Sequence, residues 1–366
     1  MRLGVQAALV DGVLVPGDVS VEDGVIAAVG LATNGANSGI AAPGFVDLQV
    51  NGFAGVDLMA TDHDGYLRVG EALLATGTTA FQPTFVTAPE SVLMDALRAM
   101  PADGIGARVL GAHLEGPFLS PRRAGVHDVS HLSAPDLALL RRLLDAAPVS
   151  QVTLAPELRG SFELVDELVA RGVTVSAGHT DATAAEAHLA FDRGVSTVTH
   201  LFNAMRPSTP RDPSIALAAL ARTDVFVQMI VDLHHVAPDT VMVAWNAAGG
   251  RFVLVTDAAP AAGMGDGAFV LGGRRIEAED GVVRGPEGQL AGSALTMIDA
   301  VRNLHGLGVP LEQALGAAST VPARVAGRKD LGRLAPGAPA DVVVLDDRLE
   351  IRQVLVDGRE RVGGRS

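Results

Sequence analysis

Two hydrophobic rhythms alternate along this chain. Short apolar runs recur near 44–50, 78–84, 108–114, 150–156, 173–178, 196–200, 225–231 and 252–256 and predict β-strands. Between them, stretches such as 133–146, 162–170, 184–191 and 238–247 place Leu and Ala at 3.6-residue spacing and predict amphipathic helices. Ser133 and Asp136 fit an S-x-x-D capping box for the first of these. Gly77, Gly172, Gly194 and Gly249 follow predicted helices, where a left-handed C-terminal cap favours a residue without Cβ. Eight strands with intervening helices predict an α/β fold, a (β/α)8 TIM-like barrel over residues 43–334. A doubly wound open sheet is the rival, but no G-x-G-x-x-G follows the first strand and no Walker A lysine motif occurs.

The rhythm changes at both ends. Residues 1–42 read as all-β, with Asp11-Gly12 and Asp23-Gly24 as tight turns and 31–39 as a loop. In the tail, Val342-Val343-Val344-Leu345 and 351–356 read as strands, and Asp357-Gly358 follows. Neither end has enough surface to make a domain alone. A composite β-sandwich module from residues 1–42 and 335–366, with the barrel inserted between them, is the economical reading; two independent appendages are the alternative. Residues 268–289 interrupt the helix–strand rhythm and predict a pair of β-hairpins after the eighth strand. Helices resume at 295 and run to about 325, with Pro322 expected to break the last one.

Composition narrows the function. Of 366 residues 48% are hydrophobic but only 4% aromatic, so the core must be built from Ala, Val and Leu. The net charge of -14 argues against a broad nucleic-acid or anionic-membrane surface, while leaving room for a small anion held by a few local donors. Without cysteine, disulfides and thiolate catalysis are excluded, and a metal must be held by His, Asp, Glu, amide oxygen or water. No apolar run approaches the ~20 residues needed to span a bilayer. The first residues reach Asp11 before a signal-peptide core accumulates, so a cytoplasmic protein is expected.

The chemistry gathers at strand ends. Glu115, His179, His200 and Asp257 each close an apolar run, and a parallel β/α barrel points all such ends at one face. A carboxylate with two imidazoles points to one divalent metal with room for a water; Zn²⁺ is the first choice, with Fe²⁺, Mn²⁺ and Co²⁺ as alternatives. Such an ion lowers the pKa of bound water from 15.7 to about 7, which makes that water the expected nucleophile. Asp257 is read as general base and acid, taking the water proton and returning it to the leaving group. Taken singly, each His is as readily a buried structural residue and Asp257 a helix cap; the convergence of four favours a site. His127 in SPRRAGVHD and His235 in VDLHHVAP lie in loops at the same barrel end. Arg206 and Arg211 in MRPSTPRDP either clamp an anion or are solvated loop charges. Many metal-dependent hydrolases on this scaffold carry His-x-His at the end of strand one. Here it reads Gln49-Val50-Asn51, and amides are weak Zn²⁺ ligands, so at most a weak second metal site is expected there.

The segments APGFVDLQVNG, GAHLEGPFLSP, AGVHD, SAGHTDAT, THLFNAM, VTDAAPAAG and LAGSALTM resemble the N-acetylglucosamine-6-phosphate deacetylases of the amidohydrolase superfamily, in order over nearly the whole chain. LGRLAPGAPADVVVLD is similar to the closing segment of that superfamily's β module. The resemblance implies hydrolysis of N-acetylglucosamine 6-phosphate to glucosamine 6-phosphate and acetate, in amino-sugar catabolism and cell-wall recycling. It makes Glu115, His179 and His200 metal ligands, Asp257 the acid/base and His127 the residue that polarises the acetamide carbonyl. It gives Asn203, the Ala204 backbone, His235 and Arg211 the sugar phosphate. It also implies a homodimer in which Arg211 reaches the neighbouring subunit's site, and Gln49 and Asn51 resemble the one-metal branch. An amidohydrolase for cyclic amides or N-acyl amino acids, and a catalytically silent sugar-phosphate sensor, are the competing readings.

Overall fold

The computed structural model describes residues 1–102 and 106–363. Eight strands run in parallel: β1 (Phe45–Val50), β2 (Thr78–Val86), β3 (Ala112–Glu115), β4 (Val149–Leu154), β5 (Thr174–Ala177), β6 (Thr197–Val198), β7 (Phe226–Met229) and β8 (Phe252–Leu254). Each pairs with its successor in sequence from β1–β2 through β7–β8. Among the described residues the two ends meet in one parallel bridge, Val50 to Ala258, where Asn51 N and Gly52 N donate to Ala258 O at 2.8 and 3.0 Å. The Asp47 carboxylate also fills the seam, accepting from Thr256 N at 3.2 Å and Thr256 Oγ1 at 2.6 Å. Burial, the largest influence on Asp47, outweighs these donors and pushes its pKa up to about 7. The result is the near-closed barrel that the strand–helix alternation predicts.

Polar side chains fill part of the barrel interior. His113 Nε2 meets Thr153 Oγ1 at 2.7 Å, and Thr153 Oγ1 meets Thr199 Oγ1 at 2.8 Å. Burial holds His113 down at about 4, so it is a neutral member of this network lying beneath the strand ends.

A six-stranded sheet draws on both halves of the chain. Its order is Val13–Pro16, Ala7–Val10, Ile40–Pro43, Val342–Leu345, Ile351–Val356 and Arg359–Gly363. Alternation along Val342–Leu345 explains its unbroken apolar run. Val343 and Leu345 belong to the barrel's apolar core, while Val342 and Val344 pack on the other face with Val19, Val21 and Ile26 of a separate hairpin. That hairpin joins Asp18–Glu22 to Val25–Leu31. Val342–Leu345 is therefore buried on both faces, which is why it lacks the polar alternation of a half-solvated strand, whereas the edge strands Val13–Pro16 and Arg359–Gly363 are largely exposed. The turns Asp11-Gly12 and Asp23-Gly24 hold φ of 47° and 81°, and 50° and 82°, the double positive φ that two-residue hairpins need.

Gly44 carries the chain directly from this sheet into β1, and a Cβ there would lie 2.1 Å from Thr79 Oγ1. Arg108 fastens the two units by donating to both oxygens of Asp341, at 2.8 and 3.1 Å. After β8, the strands Gly267–Leu271, Arg274–Glu279 and Val282–Arg284 form a three-stranded antiparallel sheet in the region where the rhythm breaks. Among the described residues no helix is long and apolar enough to cross a membrane.

Three local expectations are corrected. The predicted capping box does not form: Asp136 itself caps helix Leu137–Ala146, accepting from Ala138 N and Leu139 N, while Ser133 Oγ donates to Ala134 O. A carboxylate at N-cap satisfies two orphan amides, worth about 1 kcal/mol. Pro322 does not end the last helix. It sits in the first turn of helix Thr320–Val325, where its missing N–H has no intrahelical acceptor to lose, and the chain breaks before it at Ser319. Of the four predicted cap glycines, Gly194 has φ 121° and ψ 6° and Gly249 has φ 53° and ψ -129°, both outside the left-handed helical basin, and a 3-10 turn begins at Gly249.

Candidate active site

The site lies where the strands end. Glu115 is the last residue of β3; His179 and His200 lie two residues beyond β5 and β6, and Asp257 lies three beyond β8. Positive φ marks these departures: 48° at His179, 31° at His200 and 51° at Asp257. The left-handed backbone stops the ladder and turns each side chain over the barrel mouth. Non-glycine residues pay roughly 1–3 kcal/mol each for it, and such strain persists only where the surroundings enforce it. Gly178 lets the chain pass close to its neighbour just before His179, because a Cβ there would come within 2.8 Å of Thr153 Cγ2.

Three donors converge. Glu115 Oε1 lies 3.2 Å from His179 Nε2 and 3.0 Å from His200 Nε2, and the two nitrogens are 3.1 Å apart. His179 Nδ1 donates to the Arg123 carbonyl at 2.9 Å, which leaves Nε2 as the atom presented to the centre. The Nδ1 of His200 is buried with no partner among the described residues. One carboxylate oxygen and two imidazole nitrogens, all buried and within 4.8 Å of one another, suit a divalent cation better than they suit each other. Burial would raise the Glu115 carboxyl, but the two imidazoles pressed against it outweigh burial and hold it well below the usual range. Burial would likewise lower His200, and Glu115 outweighs it, leaving His200 raised.

The remaining groups surround this centre. Asp257 Oδ1 accepts from Asn51 Nδ2 at 2.6 Å. Burial, with the Glu115 charge next, pushes Asp257 up to about 6. Gln49 Nε2 donates to Glu115 Oε1 at 3.1 Å. Gln49 near the end of β1 and Asn51 just past it thus both present N–H donors to the site's carboxylates. His127 Nδ1 accepts from Thr87 N at 3.2 Å, which places the ring proton on Nε2, 3.7 Å from Glu115 Oε2. Burial, followed by the charge of His179, lowers His127 to about 3 and keeps it a neutral N–H donor.

Glu115, His179, His200, Asp257, Asn51 and His127 border a cavity of about 380 Å³, whose walls also include Asn203, Ala204 and His235. His235 Nδ1 donates to Asp232 Oδ2 at 2.6 Å, which fixes the ring. Arg211 stands apart: it is exposed, within a turn where Thr209 and Asp212 exchange backbone hydrogen bonds, and it does not border the cavity. Arg206 is drawn away from the cavity by Asp212 and Asp181. Four residues escaped sequence reasoning. Asp232 is signalled only by its i,i+3 spacing to His235, and Thr87 acts through its backbone. Arg122 and Arg123 border the cavity from the loop that carries His127.

Comparison with known proteins agrees with this geometry. The sequence profile of the amidohydrolase family matches residues 40–361. N-acetylglucosamine-6-phosphate deacetylase from Mus musculus is 40% identical over 340 residues, covering 87% of this chain and 82% of that protein. N-acetylgalactosamine-6-phosphate deacetylase from Escherichia coli O157:H7 is 35% identical, covering 93% of each. An alanine-for-aspartate variant of the Mycobacterium smegmatis N-acetyl-D-glucosamine-6-phosphate deacetylase, solved with N-acetyl-D-glucosamine-6-phosphate, superposes with a TM-score of 0.94 at 35% identity over 99% of both chains. A family profile spanning most of the chain, and relatives at this identity over most of its length, place it plainly: the chain belongs to the amidohydrolase family.

Proposed function

We propose that this protein hydrolyses the acetamide of N-acetylglucosamine 6-phosphate, giving glucosamine 6-phosphate and acetate. The observation that carries the reading is the convergence of Glu115, His179 and His200 beside Asp257 in one cavity, in a chain whose relatives bear that activity. A divalent cation held by Glu115, His179 and His200, with Zn²⁺ preferred, would supply a Lewis acid and an activated water. Asp257 takes a proton from the attacking water and delivers it to the departing nitrogen, since an amine leaves poorly unless protonated. The Nε2–H of His127 donates to the acyl oxygen as negative charge builds there. Asn203, the Ala204 backbone and His235 hold the sugar phosphate. The exposed position of Arg211 suits donation to a second copy of the chain, and a cytoplasmic homodimer with residues 43–334 as its catalytic barrel completes the proposal.

The test is acetate release by metal-quantified protein from the phosphorylated sugar, with the unphosphorylated sugar in parallel. Turnover confined to the phosphate at about one metal per chain supports the reading, and no turnover with a filled site refutes it. N-acetylgalactosamine 6-phosphate is a second substrate to assay, because a relative aligned over 93% of both chains is named for it.

A further inference from the structure

Two residues beyond His179, Asp181 sits among three arginines from two other loops. Arg123 reaches its Oδ1 through Nε at 2.8 Å and Nη2 at 2.7 Å. Arg122 Nη1 lies 3.2 Å and Arg206 Nη1 3.7 Å from its Oδ2. Arg122 and Arg123 belong to the loop that carries His127, and Arg206 to the loop that carries Asn203 and Arg211. Glu157, after β4, fixes Asp181 from behind by accepting from its backbone N at 2.7 Å and from Thr180 Oγ1 at 2.6 Å. The Asp181 side chain is 9% exposed and that of Arg123 30%, while Arg122 is 79% exposed, so the shielded pair of this hub is Arg123–Asp181.

The hub bears on the metal centre through one short path. The residue that Asp181 grips most closely, Arg123, is the one whose carbonyl accepts from His179 Nδ1 at 2.9 Å. Backbone contacts run alongside: Ser120 N donates to His179 O at 2.9 Å and Arg206 N to Thr180 O at 3.0 Å. An acceptor on the far nitrogen of a ligand histidine fixes its tautomer and ring angle and raises its basicity. Here that acceptor lies on a loop, and the ion pair to Asp181 is the side-chain contact that fixes Arg123 itself within it.

We propose that Asp181 is a positioning residue: by clamping Arg123 it holds the Arg123 carbonyl against His179 and so sets the metal affinity of the site. This rests on the ligand assignment given under the proposed function. The test is metal binding to the metal-free full-length protein, measured with Zn²⁺ against a chromogenic chelator and independent of turnover. Asp181→Asn is isosteric and Arg123→Gln leaves the backbone carbonyl in the chain. Each should weaken Zn²⁺ binding by ~10–100-fold, the usual loss when an outer partner of a ligand histidine is removed. The double variant should bind no more weakly than the weaker single, because both act through one contact. Arg123→Lys, whose ammonium can still reach Oδ1, should regain most of the affinity. Unchanged Zn²⁺ binding with only a lower Tm would show a merely structural role and overturn the proposal. His179→Ala separates the two readings. If it binds Zn²⁺ as tightly as the unmodified protein, the ligand assignment falls and this inference with it. If it loses binding while Asp181→Asn does not, only this inference falls. Should Asp181→Asn fail to fold, Arg123→Gln, whose side chain is 30% exposed, carries the test.

Discussion

Replacing Asp257 by asparagine separates proton transfer from everything else in the site. The carboxylate is not one of the three converging donors, so metal content should stay at the unmodified level. Asn51 Nδ2 can still donate to the retained side-chain oxygen, as it does at 2.6 Å, so the new amide stays in place. What disappears is a group able to take and return a proton. General acid–base catalysis is worth 10²–10⁴-fold, about 3–5 kcal/mol of barrier. The expected loss is at least about 10²-fold, the lower end of that range, since Glu115 is engaged by two imidazoles and is a poor substitute. The pH profile adds a second signature. A base works in its ionised form, so activity is lost as pH falls through its pKa. Burial and Glu115 put Asp257 at about 6, and a nearby cation can only draw that down, so the acid limb of the unmodified enzyme should lie at or below about pH 6. The variant should lose that limb. The assay is acetate release between pH 4.5 and 8, with substrate affinity by calorimetry. A kcat within a few-fold of the unmodified enzyme, or an unchanged acid limb, would refute the assignment.

Other expectations concern residues around this centre. His127→Asn should cut kcat by ~10²–10³-fold, the cost of removing an oxyanion donor, at unchanged metal content by elemental analysis. Arg211→Ala should raise KM for the phosphorylated sugar far more than for the unphosphorylated one; equal effects would remove it from phosphate binding. Asp47 is held at about 7 in the fold against 3.8 in a free chain, so the folded state binds the extra proton. Its contribution to stability is complete below about pH 4 and lost as pH rises through about 7, on the order of 4 kcal/mol at most. Asp47→Asn should therefore flatten the fall in Tm between pH 5 and pH 8, and an unchanged slope would mean that Asp47 is ionised throughout.

Legibility followed the range of each interaction. The barrel strands could be read because apolar period and strand burial are local properties, and the four chemistry-bearing strand ends followed from them. Where those strands stop could not be read: β5 ends at Ala177 and β6 at Val198 because His179 and His200 leave extended geometry, and residue type does not announce a positive φ. The cap at Asp136 was missed because Ser133 and Asp136 compete on equal local terms, and only the backbone path after Pro135 decides. Asp181 and Asp232 look in sequence like ordinary solvated loop acids. Arg123 is 58 residues from Asp181, and no periodicity links positions that far apart. The identity of Gln49 and Asn51 was plain, but their partners, Glu115 and Asp257, come from other strands.

The six-stranded sheet has a consequence for synthesis. Ile40–Pro43 pairs with Val342–Leu345, which leaves the ribosome about 300 residues later, or roughly 15–60 s at ordinary elongation rates. Throughout that interval the early strands expose an unpaired edge and an apolar face, while the eight barrel strands emerge and can pair with their neighbours in order. The barrel can therefore condense first, and the sheet that lies against it closes last. Nascent chains paused near residue 340 should be the ones that engage chaperones or aggregate, and release past Val356 should end that exposure in one late step.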